Sequence, residues 1–302
     1  MVARLLFRSR RQAPLEGVGC AMASSSNTTR GAPVGVLLRS WRQRRRRTQL
    51  ELALDAEVST RHLSFVESGR ASPSREMLIR LADRLDIPLR DRNALLFAAG
   101  FAPVYLERPL EDAALSGARR IIDAILRAHG HYPALAVDRH WNLVMANEAV
   151  SSLLVDVSEP SLLAPPVNVL RLTLHPAGLA PHIVNLSQCR SHILERLHRQ
   201  VEASADPALT ALLSELVGFG GEEGSHEPSG SSGVAVPLEL NTREGKLSLI
   251  STTTVFGTAT EILLSELVIE TYYPADEISD ERLIRLQRGS ARTDGRSTEM
   301  QY

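Results

Sequence analysis

Short polar and basic side chains gather in one segment of the chain. They are Ser59, Thr60, Arg61, His62, Ser64, Ser68 and Arg70. An arginine can donate two hydrogen bonds to the edge of guanine, whereas bulky apolar side chains would keep a helix out of the major groove of DNA. If the segment is helical, its first turn has the residue types needed to contact base edges. Ser68 and Arg70, which follow that helix, could hold the phosphate backbone.

The residues before this segment predict the helix that must position it. Thr48 and Glu51 have the spacing of a capping box, which starts a helix. Ser59 has the residue type of an N-cap, so a second helix is expected from there to about Glu67. Two short helices joined by a tight turn make a helix-turn-helix. Gln49 then lies near the start of the first helix, where it could reach a phosphate or an adenine.

Two side chains of the second helix and one charge run allow other interpretations. Phe65 lies off the inward stripe, so it could cover thymine methyl groups, pack against a neighbouring helix or contact a dimer partner. Glu67 is expected to bond amides or an arginine within the domain rather than a base. The arginines at 44–47 are either a solvated helix end or a phosphate contact, and the second is favoured beside a helix-turn-helix.

Apolar periodicity predicts a complete helical domain over residues 34–101. Residues 34–45 place leucines and a tryptophan on one side of a helix and arginines on the other. Residues 78–85 carry apolar side chains at helical spacing, and 91–99 form one more helix before Gly100. We therefore expect an all-α domain of five helices.

Charge separates the chain into a basic front and an acidic back. Residues 1–100 have 18 arginines against 9 acidic residues, a net +9. Residues 101–302 have 16 basic against 26 acidic residues, a net −10. The overall charge of −1 hides this contrast. The pattern favours a module that faces nucleic acid joined to one that does not, in a chain long enough for two domains.

Composition and motifs argue against several classes of protein. No apolar run reaches the roughly eighteen residues that a membrane span needs. Cys20 and Cys189 lie far apart without metal-ligand spacing, so free thiols in a reducing cytoplasm are expected, with no metal and no cofactor. The motifs of serine hydrolases, zinc proteases, phosphate-binding loops and dinucleotide folds are missing, so we do not expect an enzyme.

Three segments are expected to lie outside the folded domains. Residues 1–33 have no sustained apolar period, so they are interpreted as a disordered tail or as the result of a start assigned too early, with Met22 as the true start. Residues 102–112, with two prolines, are expected to be a linker. Residues 279–302 are polar and are expected to be a second disordered tail.

Residues 113–278 predict an α+β domain. A helix is expected at 113–129, followed by a hairpin of two strands around 138–141 and by further helices. Three more strands are expected between about 234 and 273, after a loop rich in Gly, Ser and Glu at 218–233 that is expected to be mobile. A five-stranded antiparallel sheet with helices over one face could enclose a small cavity.

An ordered set of residues in the front domain matches a known pattern. It comprises Thr48, Gln49, Leu52, Ala53, Val58, Ser59, Glu67, Ser68, Gly69, Arg70, Pro73, Ser74, Leu78, Leu81, Ala82 and Leu85. Together these resemble an Xre-type helix-turn-helix domain, of the λ-repressor kind, over residues 37–88. Glu57 departs from the glycine usual in that family. Because this turn requires a left-handed backbone conformation at that position, a residue with a side chain lowers the stability by about 1 kcal/mol relative to glycine.

Further matching segments extend the resemblance along the chain. They are residues 59–65, 92–96, 100–105, 132–135, 138–141, 174–176 and 256–258. Together they resemble the MmyB-like transcription regulators over about residues 36–278. The resemblance implies a PAS-like C-terminal domain with a lipophilic pocket for a small apolar, fatty-acid-like ligand. It also implies double-stranded DNA as a partner, and we expect a homodimer in the bacterial cytoplasm, on the nucleoid.

Polar side chains amid apolar ones are the candidates for lining such a pocket. They are His140, Trp141, Asn147, Arg171, His175 and Thr254. Each taken singly is explained as well by a core or capping role. Arg171 is the best candidate if the ligand is a carboxylate, because a buried guanidinium needs a charged partner.

The sequence leaves two functions open. In the first, the back domain senses a small apolar molecule and changes how the front domains bind DNA. In the second, DNA binding is the same, but the back domain serves only dimerisation or protein interaction.

Overall fold

The computed structural model describes residues 32–154, 156–220 and 236–296. They divide into two compact units. The N-terminal unit contains residues 32–112 together with Phe256–Ser265, and the C-terminal unit contains the rest. The tail expected at 1–33 and the mobile loop expected at 218–233 fall almost entirely outside the described residues.

Five α-helices make up the N-terminal unit, as the apolar periodicity predicts. They are α1 (Val34–Arg44), α2 (Gln49–Asp55), α3 (Thr60–Glu67), α4 (Arg75–Arg84) and α5 (Leu89–Ala98). Fully buried leucines at their centre come from different helices, among them Leu38, Leu52, Leu63 and Leu81. Burial of each such side chain stabilises the fold by about 2 kcal/mol.

Side-chain caps fix where the two helices of the helix-turn-helix begin. The Thr48 hydroxyl accepts a hydrogen bond from the backbone N–H of Glu51, and the Glu51 carboxylate accepts one from the N–H of Thr48, so the predicted capping box is confirmed. The Ser59 hydroxyl accepts a hydrogen bond from the N–H of His62 at 3.1 Å. These caps set the angle at which α3 leaves the turn.

The backbone at Glu57 has the left-handed conformation that the resemblance implies for a glycine. Its φ is +56°, and the turn closes through the N–H of Val58, which donates to the carbonyl of Ala53. The turn therefore keeps its usual shape at the expense of backbone strain.

Helix α1 lies unusually close to the end of α3. A Cβ atom at Gly35 would lie 2.3 Å from the carbonyl oxygen of Val66 and 2.8 Å from that of Glu67. Only glycine permits this approach, so α1 holds the C-terminal end of α3 in place.

A five-stranded antiparallel sheet forms the C-terminal unit, which confirms the predicted α+β class. The strands are β1 (Ala134–Val137), β2 (Leu143–Ala146), β3 (Leu238–Thr242), β4 (Gly245–Val255) and β5 (Val268–Pro274). Their order across the sheet is β2-β1-β5-β4-β3, so two hairpins flank β5.

Among the described residues, six further α-helices lie in the C-terminal unit, and a seventh (Ile262–Glu266) lies almost wholly in the segment Phe256–Ser265 of the N-terminal unit. They are α6 (Ser116–Ala128), α7 (Glu148–Leu153), α8 (Val169–Leu174), α9 (Leu186–Ser204), α10 (Pro207–Gly218), α11 (Ile262–Glu266) and α12 (Glu277–Arg296). The larger core cluster joins leucines of α8, α9 and α10 to side chains of β1, including Leu197, Leu216 and Val137. Sequence reading did not predict α8 or α11, which are one to two turns long and carry little periodicity.

The expectation of a disordered tail over residues 279–302 is wrong for most of that segment. Helix α12 extends to Arg296, and Leu283 and Leu286 are buried against Leu247 and Leu249 of β4. Polar composition suggested disorder, yet two leucines three residues apart are enough to seat one face of a helix on a sheet.

The segment Phe256–Ser265 belongs to the N-terminal unit, although sequence analysis assigned it to the back domain. It pairs with the residues expected to be a linker. Leu106 and Glu261 form a parallel bridge, and the Glu261 carboxylate accepts a hydrogen bond from the N–H of Arg108 at 2.8 Å. The expected linker is therefore held in place by a segment that lies about 150 residues later in the sequence.

Two further observations concern the described residues only. None of their helices is long and apolar enough to cross a membrane. Cys189 is a buried free thiol, and burial raises its pKa to about 11.

The strain at Glu57 can be tested by substitution. Glu57→Gly is expected to raise the free energy of unfolding by about 0.5–1 kcal/mol, because glycine adopts φ of +56° without a steric penalty. Urea denaturation of the full chain measures the change. Leu54→Gly at an exposed helical position is the control, and it should lower the free energy by about 1 kcal/mol. Equal losses in both variants would contradict the strain.

Candidate nucleic-acid interface and ligand-binding domain

The first turn of α3 is on the surface of the N-terminal unit. Ser59, Thr60, Arg61 and His62 are all exposed, while Leu63 is fully buried. Ser64 is half-buried, and Ser68 and Arg70 beyond the helix are exposed. The structure therefore exposes the first-turn candidates at one end of the helix and Ser68 and Arg70 beyond its other end, while it buries the apolar stripe.

The ring of Phe65 lies beneath two of the candidate arginines. The guanidinium of Arg61 is 5.4 Å from the ring centroid, and that of Arg70 is 6.0 Å from it. Cation–π attraction at these distances limits where the two charges can go. Both arginines belong to α3 or to the residues just after it, so the three interpretations of Phe65 stay open.

Glu67 is bound inside the domain, as sequence analysis expects. Its carboxylate accepts two hydrogen bonds from Arg42 of α1, from Nε at 2.7 Å and from Nη2 at 2.8 Å. Both side chains are buried, with 11% of Arg42 and 3% of Glu67 exposed. Burial alone would raise the pKa of Glu67, but bonds from Arg42 and Gln49 outweigh it and hold that pKa below its usual value.

The same carboxylate positions Gln49. The Gln49 amide nitrogen donates to Glu67 Oε2 at 2.8 Å. Gln49 stands at the start of α2, so one buried acid links α1, α2 and α3. This bond sets the direction of the Gln49 amide and turns its carbonyl oxygen, an acceptor, away from the carboxylate.

A surface hollow of about 370 Å³ lies beside this network. Its lining residues are Arg39, Arg42, Gln49, Ser64, Glu67 and Ser68. Three of the sequence candidates therefore share one concave surface. Sequence analysis did not name Arg39, although its position one helical turn before Arg42 was a signal that could have found it.

At least three of the four arginines at 44–47 have partners within the unit, and the guanidinium of Arg44 lies 4.9 Å from the centroid of the Trp41 ring. Arg45 donates to the carbonyl oxygens of Leu85 and Asp86, at 2.8 and 3.0 Å. Arg47 pairs with Asp55 on the surface. These bonds tie α1 to α2 and to the end of α4, so the charge run has a structural part that composition could not reveal.

The candidates of the C-terminal unit are joined into its framework. His140 bonds through Nε2 to the carboxylate of Asp206 at 2.9 Å. That bond is the main cause that lowers the pKa of Asp206, to about 2. The indole of Trp141 is buried and donates to Gln200 at 2.9 Å. Both contacts fasten the β1–β2 hairpin to the helical pair α9 and α10.

Asn147 and Arg171 make several bonds each. The buried Asn147 accepts from the N–H of Ala134 and donates to the carbonyl of Tyr132 at 2.8 Å, so it holds the start of β1. Arg171 of α8 forms a two-bond pair with Glu215 of α10, at 2.5 and 2.7 Å. About a third of each of those two side chains is exposed.

The last two candidates lie on other parts of the unit. His175 accepts a hydrogen bond from the N–H of Ala177 and meets the edge of the Phe219 ring, 4.9 Å between centroids. Thr254 is exposed on β4. A cavity of only about 10 Å³ lies between α7, β3 and α12, lined in part by Ser152, His182 and Leu286, and it contains none of the six candidates.

A buried polar cluster escaped sequence analysis. Glu270 of β5, 4% exposed, accepts hydrogen bonds from Arg196 at 2.6 Å and from the Tyr272 hydroxyl at 3.0 Å. Burial, with the neighbouring Glu270 charge, raises the pKa of Tyr272 well above its usual value. The Arg196 guanidinium also lies over the Trp141 ring at 4.5 Å. Glu270 lies two residues from Val268 and Tyr272, which pack against the core, but its partners are too distant in sequence to be read from it.

The Arg42–Glu67 pair gives a stability prediction. Arg42→Ala is expected to lower the free energy of unfolding by about 3 kcal/mol, because Glu67 would be left buried and unpaired. The double variant Arg42→Met with Glu67→Leu should recover most of that loss. Arg47→Ala breaks the exposed pair with Asp55 and should cost less than about 1 kcal/mol. Urea denaturation compares the three, and a double variant no more stable than Arg42→Ala would contradict the mechanism.

Comparison with known families agrees with both units. The model of the MmyB-like transcription regulator ligand binding domain matches residues 118–286. A helix-turn-helix model matches residues 38–91. The search of curated proteins gave no match. Because the first model covers more than half of the chain, the protein belongs to the MmyB-like family, as a DNA-binding transcription regulator with a ligand-binding C-terminal domain.

Proposed function

We propose that the protein binds operator DNA as a homodimer in the cytoplasm and that a small apolar, fatty-acid-like molecule in its C-terminal domain changes this binding. The observation that carries the DNA-reading part is the exposed, capped first turn of α3. Arg61 would read a guanine there, and Thr60 and His62 would contact neighbouring base edges. The hollow with Arg39 and Gln49 would receive a phosphate.

The reading helix is held rigidly enough for base recognition. Ser59 caps its start, Gly35 lets α1 touch its end, and Glu67 joins it to both helices before it. Support of this kind holds the side chains of the first turn close to the position that a bidentate hydrogen bond to a base requires. Phe65 adds to it by limiting where the Arg61 charge can go.

Arg61 provides the test of DNA reading. Arg61→Ala is expected to weaken binding to the selected operator by about 1–3 kcal/mol while changing binding to random DNA much less. The operator is first found by selecting bound fragments from a random library, and affinities are then measured at one fixed salt concentration. Arg84→Ala, an exposed arginine at the end of α4, is the matched control. An equal loss on random DNA would make Arg61 a phosphate contact.

Ligand sensing rests on the family and on the make-up of the C-terminal core. That core is rich in leucine and brings α8, α9 and α10 against the sheet. Arg171 and Glu215 bridge α8 and α10 at its rim. A ligand carboxylate could replace Glu215 as the partner of Arg171, since both present two oxygens to the guanidinium fork. Exchange of this partner would remove the ion pair between α8 and α10, and we propose that this couples ligand binding to a shift of the two helices within their shared core.

The size of the cavity bears on how a ligand would enter. Pockets for small molecules commonly hold about 300 Å³ or more, whereas the cavity between α7, β3 and α12 holds about 10 Å³. Entry of a fatty-acid-like molecule into that cavity would therefore need α7, β3 and α12 to separate, at a cost that ligand burial must offset. The small volume of that cavity supports the second candidate function, in which the C-terminal domain serves only dimerisation or protein interaction.

Native mass spectrometry of the freshly purified chain separates these two functions. Sensing predicts a bound mass in the range of a single lipid. A long-chain acid should then bind more tightly than the alcohol of equal chain length, by about tenfold. Arg171→Gln should remove that preference, whereas Arg199→Gln, an exposed arginine on α9, should retain it. Absence of any bound mass together with no binding of either probe would favour the second function.

A further inference from the structure

Strand β4 extends beyond the strand at its side. Strand β3 pairs with it only from Gly245 to Leu249, whereas β5 pairs with it as far as Val255. All residues from Ile250 to Val255 are exposed. In the described part of the chain, no other strand is paired with this edge.

The ladder fixes which main-chain groups point to that edge. Thr242 and Gly245 flank a two-residue hairpin loop, so they form a hydrogen-bonded pair. Along a strand with a neighbour on each side, successive residues direct their N–H and C=O groups to opposite neighbours. The main-chain groups of odd-numbered β4 residues therefore bond to β3, and those of even-numbered residues bond to β5. The bond from the N–H of Ala275 to the carbonyl of Ser248 agrees with this parity.

Continued past β3, the same parity directs three residues outward. The N–H and C=O groups of Ser251, Thr253 and Val255 point away from β5, toward the open edge. The six residues from Ile250 to Val255 include no charged side chain and no proline. Protein edges that stay single are usually protected by such residues, so this edge has the features of one that is paired.

We propose that the edge of β4 pairs antiparallel with the same edge of a second copy of this chain. A twofold axis normal to the sheet makes such an interface identical on both sides. The strand segment itself has no charged residue, and Arg196, which donates to Thr253 Oγ1 at 3.4 Å, is paired with Glu270, so pairing with a second copy sets no unpaired like charges together. The inference rests on the proposed function in one respect: a helix-turn-helix dimer reads two half-sites related by a twofold.

The twofold also selects the register. An axis normal to the sheet keeps each side chain on the same face of the sheet in both copies. Residues that face each other must then both be odd-numbered or both even-numbered, so the axis passes where one residue lies opposite its own copy. Centring on Thr253 sets Ser251 opposite Val255 of the other copy, and all three outward residues then bond, giving about six hydrogen bonds. Centring on Thr252 would set Val255 opposite Leu249, whose groups already bond to β3. Thr253 is therefore the centre.

Proline at the centre tests the pairing. Thr253→Pro removes an N–H that points outward, so no bond to β5 is lost, yet both copies lose a donor at the axis. Sedimentation equilibrium of the full chain should show a dimer dissociation constant raised by about tenfold or more. Thr253→Val retains the N–H and should leave the constant within about threefold of the unmodified protein. A monomeric unmodified protein, or a Thr253→Pro variant that dimerises as well, would overturn the proposal.

Paired charges test the register and do not depend on how proline is tolerated. Ser251→Lys with Val255→Glu sets opposite charges face to face twice in the dimer, whereas Ser251→Lys with Val255→Lys sets like charges there. The first should dimerise at least about tenfold more tightly than the second. Equal constants would overturn the Thr253-centred register.

Hydrogen exchange identifies what covers the edge. Protection of the Ser251, Thr253 and Val255 amides should increase with protein concentration. Protection independent of concentration would mean that another segment of this chain covers the edge, and it would overturn the proposal. These measurements use no DNA, so they can succeed if operator binding fails, and the dimer can fail while half-site binding by Arg61 persists.

Discussion

The buried bond between Arg42 and Glu67 is the constraint on which the DNA-facing unit depends. One carboxylate receives two bonds from α1 and one from Gln49 of α2, while being itself part of α3. A charge removed from water in this way is tolerated only with good geometry on every lone pair. The orientation of the reading helix relative to its neighbours is therefore set by an interaction that itself reads no base.

Local chemistry made much of this unit predictable. The caps at Thr48 and Ser59 and the helical spacing of the leucines involve residues only three or four positions apart. They can therefore be recognised from the sequence alone. The left-handed residue at Glu57 was expected through resemblance to a family rather than through its own type. The partners of Arg45 were missed, because a contact between helices depends on how they pack and not on sequence spacing.

The C-terminal unit was less accessible to such reasoning. Its class and its strands follow from alternation and turn residues, but Arg196, Glu270 and Tyr272 meet only after α9 has packed on the sheet. Sequence analysis took His140, Trp141 and Asn147 as candidate pocket residues, and the structure gives each of them a bond that secures the fold. Polarity amid apolar residues does not distinguish a ligand contact from a framework bond, since burial demands a partner in both cases.

The proposed reading residues of α3 lie in its first turn, whereas the residues that hold the helix lie further along it. Leu63, Val66 and Glu67 point inward, whereas Thr60, Arg61 and His62 have no part in the core. On the proposal that these three residues read base edges, target preference can be changed without refolding the protein. Exchange of the three surface positions for those of a related regulator is then expected to bring that regulator's operator preference to this scaffold.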